Sequence, residues 1–155
     1  MLILVAFTRD KKFNIAVTQK NETVDADRFV NFVHSTGERW GRLTRDPVKL
    51  TDLWWQHDNA RHHSSRTTKE FFDRRGVTMI WQPPYSPDMN LADRFLFKLL
   101  KKELRKDTFS TAEEVQEASL RILRAIPEET FAAQLAELRE HCQHVIDKDG
   151  HYVTK

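Results

Sequence analysis

Two aspartates, Asp58 and Asp93, are separated by 34 residues whose pattern leaves little freedom in how the chain can fold. Asp58 follows an apolar, strand-like run, Leu53-Trp54-Trp55. After it come a predicted helix from Ser65 to Arg75, a stop at Gly76, a β-type run Val77-Thr78-Met79-Ile80-Trp81 and a Pro-rich turn. Asp93 stands at the front of a helix predicted to begin near Leu91. A strand, a helix and a second strand of these lengths return the chain to a parallel neighbour. That topology brings both acids to one edge of a sheet, a geometry suited to a divalent cation.

The rest of the chain reads as the frame for this unit. With 155 residues it has the length of one domain and can bury a core without a disulfide or a structural metal. It has one cysteine, Cys142, and no apolar run long enough to cross a membrane, so a reducing intracellular compartment and no membrane partner are expected. The opening MLILVAF lacks the basic flank and cleavage site of a signal peptide. Leu2 to Phe7 is a continuous apolar run, predicted to be a strand buried on both faces. Phe13, Ile15 and Val17 alternate as a second strand buried on one face, with Thr8 to Lys12 as the turn. A helix is predicted over Asn21 to Thr36, capped by Asp25, with Gly37 to Asp52 as a loop or frayed helix. Leu91 to Lys106 is amphipathic with Asn90 as its cap, and Ser110-Thr111-Ala112-Glu113 reads as a capping box opening a helix to about Ala125. Pro127 opens a last helix with Phe131, Leu135, Leu138, Cys142, Val145 and Ile146 on one side. Trp54, Trp55 and Trp81 fall on or beside strands and are expected in the core.

Charge is unevenly divided. Arg61 to Lys106 holds eleven Lys and Arg against five Asp and Glu, a net of +6, whereas Asp107 to Gly150 has a net of −6. The two acids therefore lie in or directly beside the basic half, as handling of a phosphodiester requires.

The segments His57-Asp58-Asn59-Ala60-Arg61-His62-His63 and Gln82-Pro83-Pro84-Tyr85-Ser86-Pro87-Asp88, followed by Asp93-Arg94-Phe95-Leu96-Phe97, resemble the catalytic core of mariner-type transposases of the Tc/mariner superfamily. The stretch Asn21 to Phe29 resembles that family's entry into its first core helix, and Gly150-His151-Tyr152-Val153 its short ending. The resemblance implies an α/β, ribonuclease-H-like mixed sheet flanked by helices, with C-terminal helices after it. It also implies a site of three aspartates holding Mg2+ or Mn2+, in which Asp58 is the second acid and Asp93 the third. The activity implied is cleavage and transfer of DNA strands at transposon ends, in the nucleus, with a homodimer as a possible assembly. Candidate phosphate contacts are Arg61, His63, Lys98, Lys101 and Lys102.

Relative to the family pattern, residues 1–155 read as a single catalytic domain truncated at its N-terminus. The strand bearing the first acid and the N-terminal DNA-binding modules are expected to be absent. That strand would be central, between the hairpin and the Asp58 strand, so its loss would expose two edges that pair directly, recruit another chain or stay frayed. With two acids of three, the chain alone is expected to be inactive or nearly so. A non-catalytic nucleic-acid-binding or dimerisation module is the alternative. His62 stands where the family usually has proline, and Met89-Asn90-Leu91-Ala92 replaces a stretch that usually contains one. Asp88 is expected to serve the Ser86-Pro87-Asp88 turn rather than catalysis. His57, His62 and His63 lack the partners of a zinc site, and His141-Cys142-Gln143-His144 is expected to be packing.

Overall fold

The computed structural model describes residues 1–151 and 153, so Tyr152 of the expected tail lies outside the described residues. The chain opens with an antiparallel hairpin of β1 (Ile3–Phe7) and β2 (Phe13–Val17), with Ile3 opposite Val17 and Phe7 opposite Phe13. Helix α1 (Ala26–Gly41) follows, and Asp25 Oδ1 accepts from the Arg28 N–H at 2.8 Å to cap it. Next come β3 (Trp54–Gln56), α2 (Arg66–Arg75) and β4 (Thr78–Ile80); β3 and β4 are parallel, with Trp54 opposite Thr78 and Gln56 opposite Ile80. Ser65 Oγ accepts from the Thr68 N–H to start α2, and Gly76 ends it at φ 63, where a side chain would be strained. After a turn at Pro87–Met89 and a π-helical stretch at Ala92–Leu96, the chain finishes with α3 (Phe97–Leu104), α4 (Ala112–Arg124) and α5 (Glu128–Asp147).

The two strand pairs belong to separate sheets. Phe13 and Ile15 of β2 pack with Leu96, Leu100, Leu123 and Phe131 of the later helices. Asn14, on the other face of β2, donates from Nδ2 to Thr36 Oγ1 of α1 at 2.7 Å. A second core joins α1, α2 and the inner face of β3 and β4 through Phe29, Val33, Phe71, Phe72 and Val77. Between β1 and β3 lies a groove of about 640 Å³, lined by every residue from Leu2 to Arg9 and from Leu53 to Asp58. Unbroken runs of neighbours mean that strand edges, rather than single faces, form its walls. Of the outcomes expected for those edges, direct pairing is the one this structure does not adopt.

Several expectations are corrected. Burial in the hairpin is reversed: Phe13, Asn14 and Ile15 of β2 are buried, whereas only Ala6 of β1 is. The reason is that β2 is covered by helices on both faces while β1 borders the groove. Helix α1 does not stop before Gly37 but continues to Gly41, because Trp40 extends the apolar stripe of Phe29, Val33 and Thr36 and is buried. Gly37 serves a close approach there, since a Cβ would stand 2.7 Å from the Leu50 side chain. The capping box of α4 falls one residue later: Thr111 Oγ1 accepts from the Glu114 N–H, and Glu114 Oε2 accepts from the Thr111 N–H. Of the three tryptophans expected in the core, Trp55 joins it, but Trp54 and Trp81 are 75% and 61% exposed. Parallel strands are usually covered on both faces. Here Trp54 and Ile80 on the outer face of the β3–β4 pair are left exposed, and Trp81 just beyond it has the Lys69 ammonium 5.5 Å from its ring centroid.

Candidate metal and nucleic-acid site

Asp58 lies two residues beyond the end of β3, where backbone N–H groups are free of the sheet ladder. Its Oδ1 accepts from the Ala60 N–H at 3.1 Å and from His63 Nδ1–H at 2.5 Å. Its carbonyl accepts from His57 Nδ1–H at 2.7 Å. The His63 hydrogen bond, aided by that of Ala60 and opposed by burial, brings the Asp58 carboxyl down to about 2. His63 in turn lies on Phe29 of α1, with ring centroids 4.2 Å apart, and against His62 at 4.1 Å. Burial pushes the His57 and His62 imidazoles down, so the neutral form is favoured beside an ionised acid. Among the described residues Asp58 Oδ2 has no hydrogen-bond partner, which leaves that oxygen for a cation.

Asp93 lines the same groove as Asp58. Asn90 Oδ1 accepts from the Ala92 N–H at 2.9 Å and starts the helix, as its position predicts. The stretch carrying Asp93 is π-helical, a wider winding often found at functional sites, and it re-aims the side chains of one turn. Burial, and after it the charge of Asp58, pushes the Asp93 carboxyl above the usual carboxylate range, against the pull of Lys101. The fold thus brings two acids 35 positions apart close enough for one to oppose ionisation of the other.

The donors fit a hard cation. Mg2+ and Mn2+ take carboxylate oxygens, and Mg2+ needs only one or two of them when water and phosphate oxygens complete its shell. Among the described residues no group of three or more His, Cys, Asp and Glu converges in metal-binding geometry.

Arg61, Lys98, Lys101 and Lys102 are exposed, and Lys101 is the one whose charge acts on Asp93. His63 is placed differently from these: it is half-buried and turned onto Asp58. Asp88 does not line the groove; its Oδ2 accepts from His141 Nε2–H of α5 at 2.5 Å. Two residues close to Asp58 in sequence had no assigned role and prove to be ties. Asn59 Nδ2–H donates to the Gln82 carbonyl at 2.8 Å, and Gln56 Nε2–H donates to the Met89 carbonyl at 3.2 Å. Their signal in the sequence was only adjacency to Asp58, because a side chain bonded to a distant carbonyl leaves no periodic trace.

A family model described as DDE superfamily endonuclease matches residues 1–116. The transposable element Tcb2 transposase of Caenorhabditis briggsae is 30% identical over 126 residues, which are 80% of this chain and 44% of that protein. The chain spans less than half the length of each curated relative it matches. Among solved structures, the Mos1 transposase catalytic domain with raltegravir and Mn superposes with a TM-score of 0.80 at 20% identity, covering 98% of this chain and 76% of that one. The Mos1 transposase paired-end complex with left transposon end gives a TM-score of 0.82 at 21% identity, covering 98% of this chain and 44% of that one.

Proposed function

This chain belongs to the DDE superfamily of endonucleases and has Tc1/mariner transposases among its homologues, and we propose that it carries the metal-binding part of a mariner-type transposase catalytic domain. Its fold is the ribonuclease-H-like mixed α/β arrangement. The reaction we assign to the domain is cleavage and transfer of DNA strands at transposon ends, in the nucleus. One observation carries this reading: Asp58 and Asp93 line one groove, and the charge of the first raises the pKa of the second.

A divalent ion held between Asp58 and Asp93 would neutralise the scissile phosphate and orient an oxygen nucleophile. His63 and the Ala60 N–H fix Asp58 through Oδ1, so the remaining oxygen is presented without rotation of the carboxylate. Arg61, Lys98, Lys101 and Lys102 draw the phosphate backbone towards the acids, with no need for sequence-specific contacts. The family resemblance calls for three acids, and this stretch supplies Asp58 and Asp93. We therefore propose that the 155-residue polypeptide binds Mn2+ but cuts DNA slowly or not at all by itself. Mn2+ titration followed by electron paramagnetic resonance tests both parts alongside a strand-cleavage assay. Binding by the wild type that is lost in Asp58→Ala and in Asp93→Ala supports the site. Brisk metal-dependent cutting that Asp58→Ala abolishes would contradict the proposed inactivity.

The uncovered strand edges of β1 and β3 favour a second reading, a non-catalytic module that binds nucleic acid or pairs with a second copy. DNA binding that is salt-sensitive yet unchanged in Asp58→Ala and Asp93→Ala, with no Mn2+ binding, would select it.

A further inference from the structure

The helix carrying Asp93 and the strand leading to Asp58 meet at one short stretch, Asp88-Met89-Asn90, which is gripped from three sides. Gln56, two residues before Asp58, donates to the Met89 carbonyl at 3.2 Å. Arg94, next to Asp93, donates from Nη1 to the Asp88 carbonyl at 3.1 Å. His141 of α5 donates from Nε2–H to Asp88 Oδ2 at 2.5 Å, and its side chain is 7% exposed. The last contact spans 53 positions and brings α5 against the turn. Nothing in the phosphodiester chemistry uses it. Yet the separation of the two acids depends on this junction, because Asp58 and Asp93 lie on different elements that are tied through it.

We propose that His141 is a positioning residue for the metal site: by clamping Asp88 it sets the junction from which the Asp93 helix departs, and so the reach between Asp93 and Asp58. This rests on the assignment of those two acids as cation ligands. The physical case is that Asp88 Oδ1 is already buried without a hydrogen-bond partner among the described residues. Removing the imidazole would leave both oxygens of a largely buried carboxylate unpartnered, a strongly unfavourable state. The turn relieves it by swinging Asp88 towards water, and Arg94 and Asp93 move with it. A donor of similar reach keeps the clamp; an apolar group of similar size does not.

Mn2+ affinity of the full 155-residue chain, with circular dichroism as a control for folding, reads the effect. His141→Leu is expected to weaken binding by about tenfold, as loss of outer-shell support for a metal ligand does, while His141→Gln stays within about threefold of wild type. Should His141→Leu fail to fold, Arg94→Met loosens the same junction from the other side and is expected to weaken binding in the same direction. A folded His141→Leu chain, or a folded Arg94→Met chain in its stead, that binds Mn2+ like wild type overturns the positioning role and leaves the metal site standing. Absence of Mn2+ binding by wild type removes the site, and the positioning role falls with it.

Discussion

Asp58 and Asp93 are two aspartates with opposite environments, and the difference has consequences for pH. Asp58 is held down from its ordinary 3.8 to about 2, chiefly by the His63 hydrogen bond. A folded-state pKa below the unfolded value stabilises the fold above about pH 4, and that contribution is lost as pH falls towards 2. Asp93 has the reverse sign. Its raised pKa means the ionised form is disfavoured by folding, so at neutral pH its charge costs stability, and the cost disappears as the group is protonated. Asp93→Asn is therefore expected to raise Tm at pH 7 slightly while abolishing Mn2+ binding, and thermal melts with and without metal check it. A lowered Tm would contradict the sign. Asp93 is also the acid that takes up a proton first, so Mn2+ affinity should weaken on acidification before Asp58 is affected, as titrations from pH 7 downward would show.

At the scale of elements, the local signals were the readable ones. Asn90 and Asp25 as caps, Gly76 as a stop, and the strand–helix–strand order with β3 parallel to β4 all follow from short-range chemistry, and the structure contains each of them. What was not legible depends on partners far along the chain. Helix α1 passes Gly37 because Trp40 finds a core to enter, and β2 is the better-buried strand because α4 and α1 both pack on it. The exposure of Trp54 and the bond from His141 to Asp88 could not be read from periodicity, since both are set by what lies across the fold. Of the site, the acids and their spacing were legible through motif resemblance; the ties from Gln56, Asn59 and His141 were not. The shifted capping box gives a simple check on the element assignments. Thr111→Ala is expected to cost about 1 kcal/mol in urea unfolding, whereas Ser110→Ala, which keeps the backbone bond to Glu114, costs a few tenths at most.

For the whole molecule, charge decides more than net charge suggests. Asp93 and the helix that follows it lie in the basic stretch and the acidic stretch is mostly α4 and α5, so DNA should approach from one side only. Binding to duplex DNA is expected to weaken steeply with salt, and replacing Lys98, Lys101 and Lys102 by Ala should flatten the plot of log affinity against log salt by about 2–3 in slope. An unchanged slope in the triple variant, measured by fluorescence anisotropy, would place the nucleic acid elsewhere. The groove between the two sheets is the centre of the site, because both acids line it. Polypeptide cleavage by Fe2+ with ascorbate and peroxide, run with Fe2+ in place of Mn2+, tests that convergence. The account predicts cuts near residue 58 and near residue 93 in the same sample, both suppressed by excess Mn2+ and both absent in Asp58→Ala. Cuts near only one of the two positions, or a pattern that persists in Asp58→Ala, would contradict it.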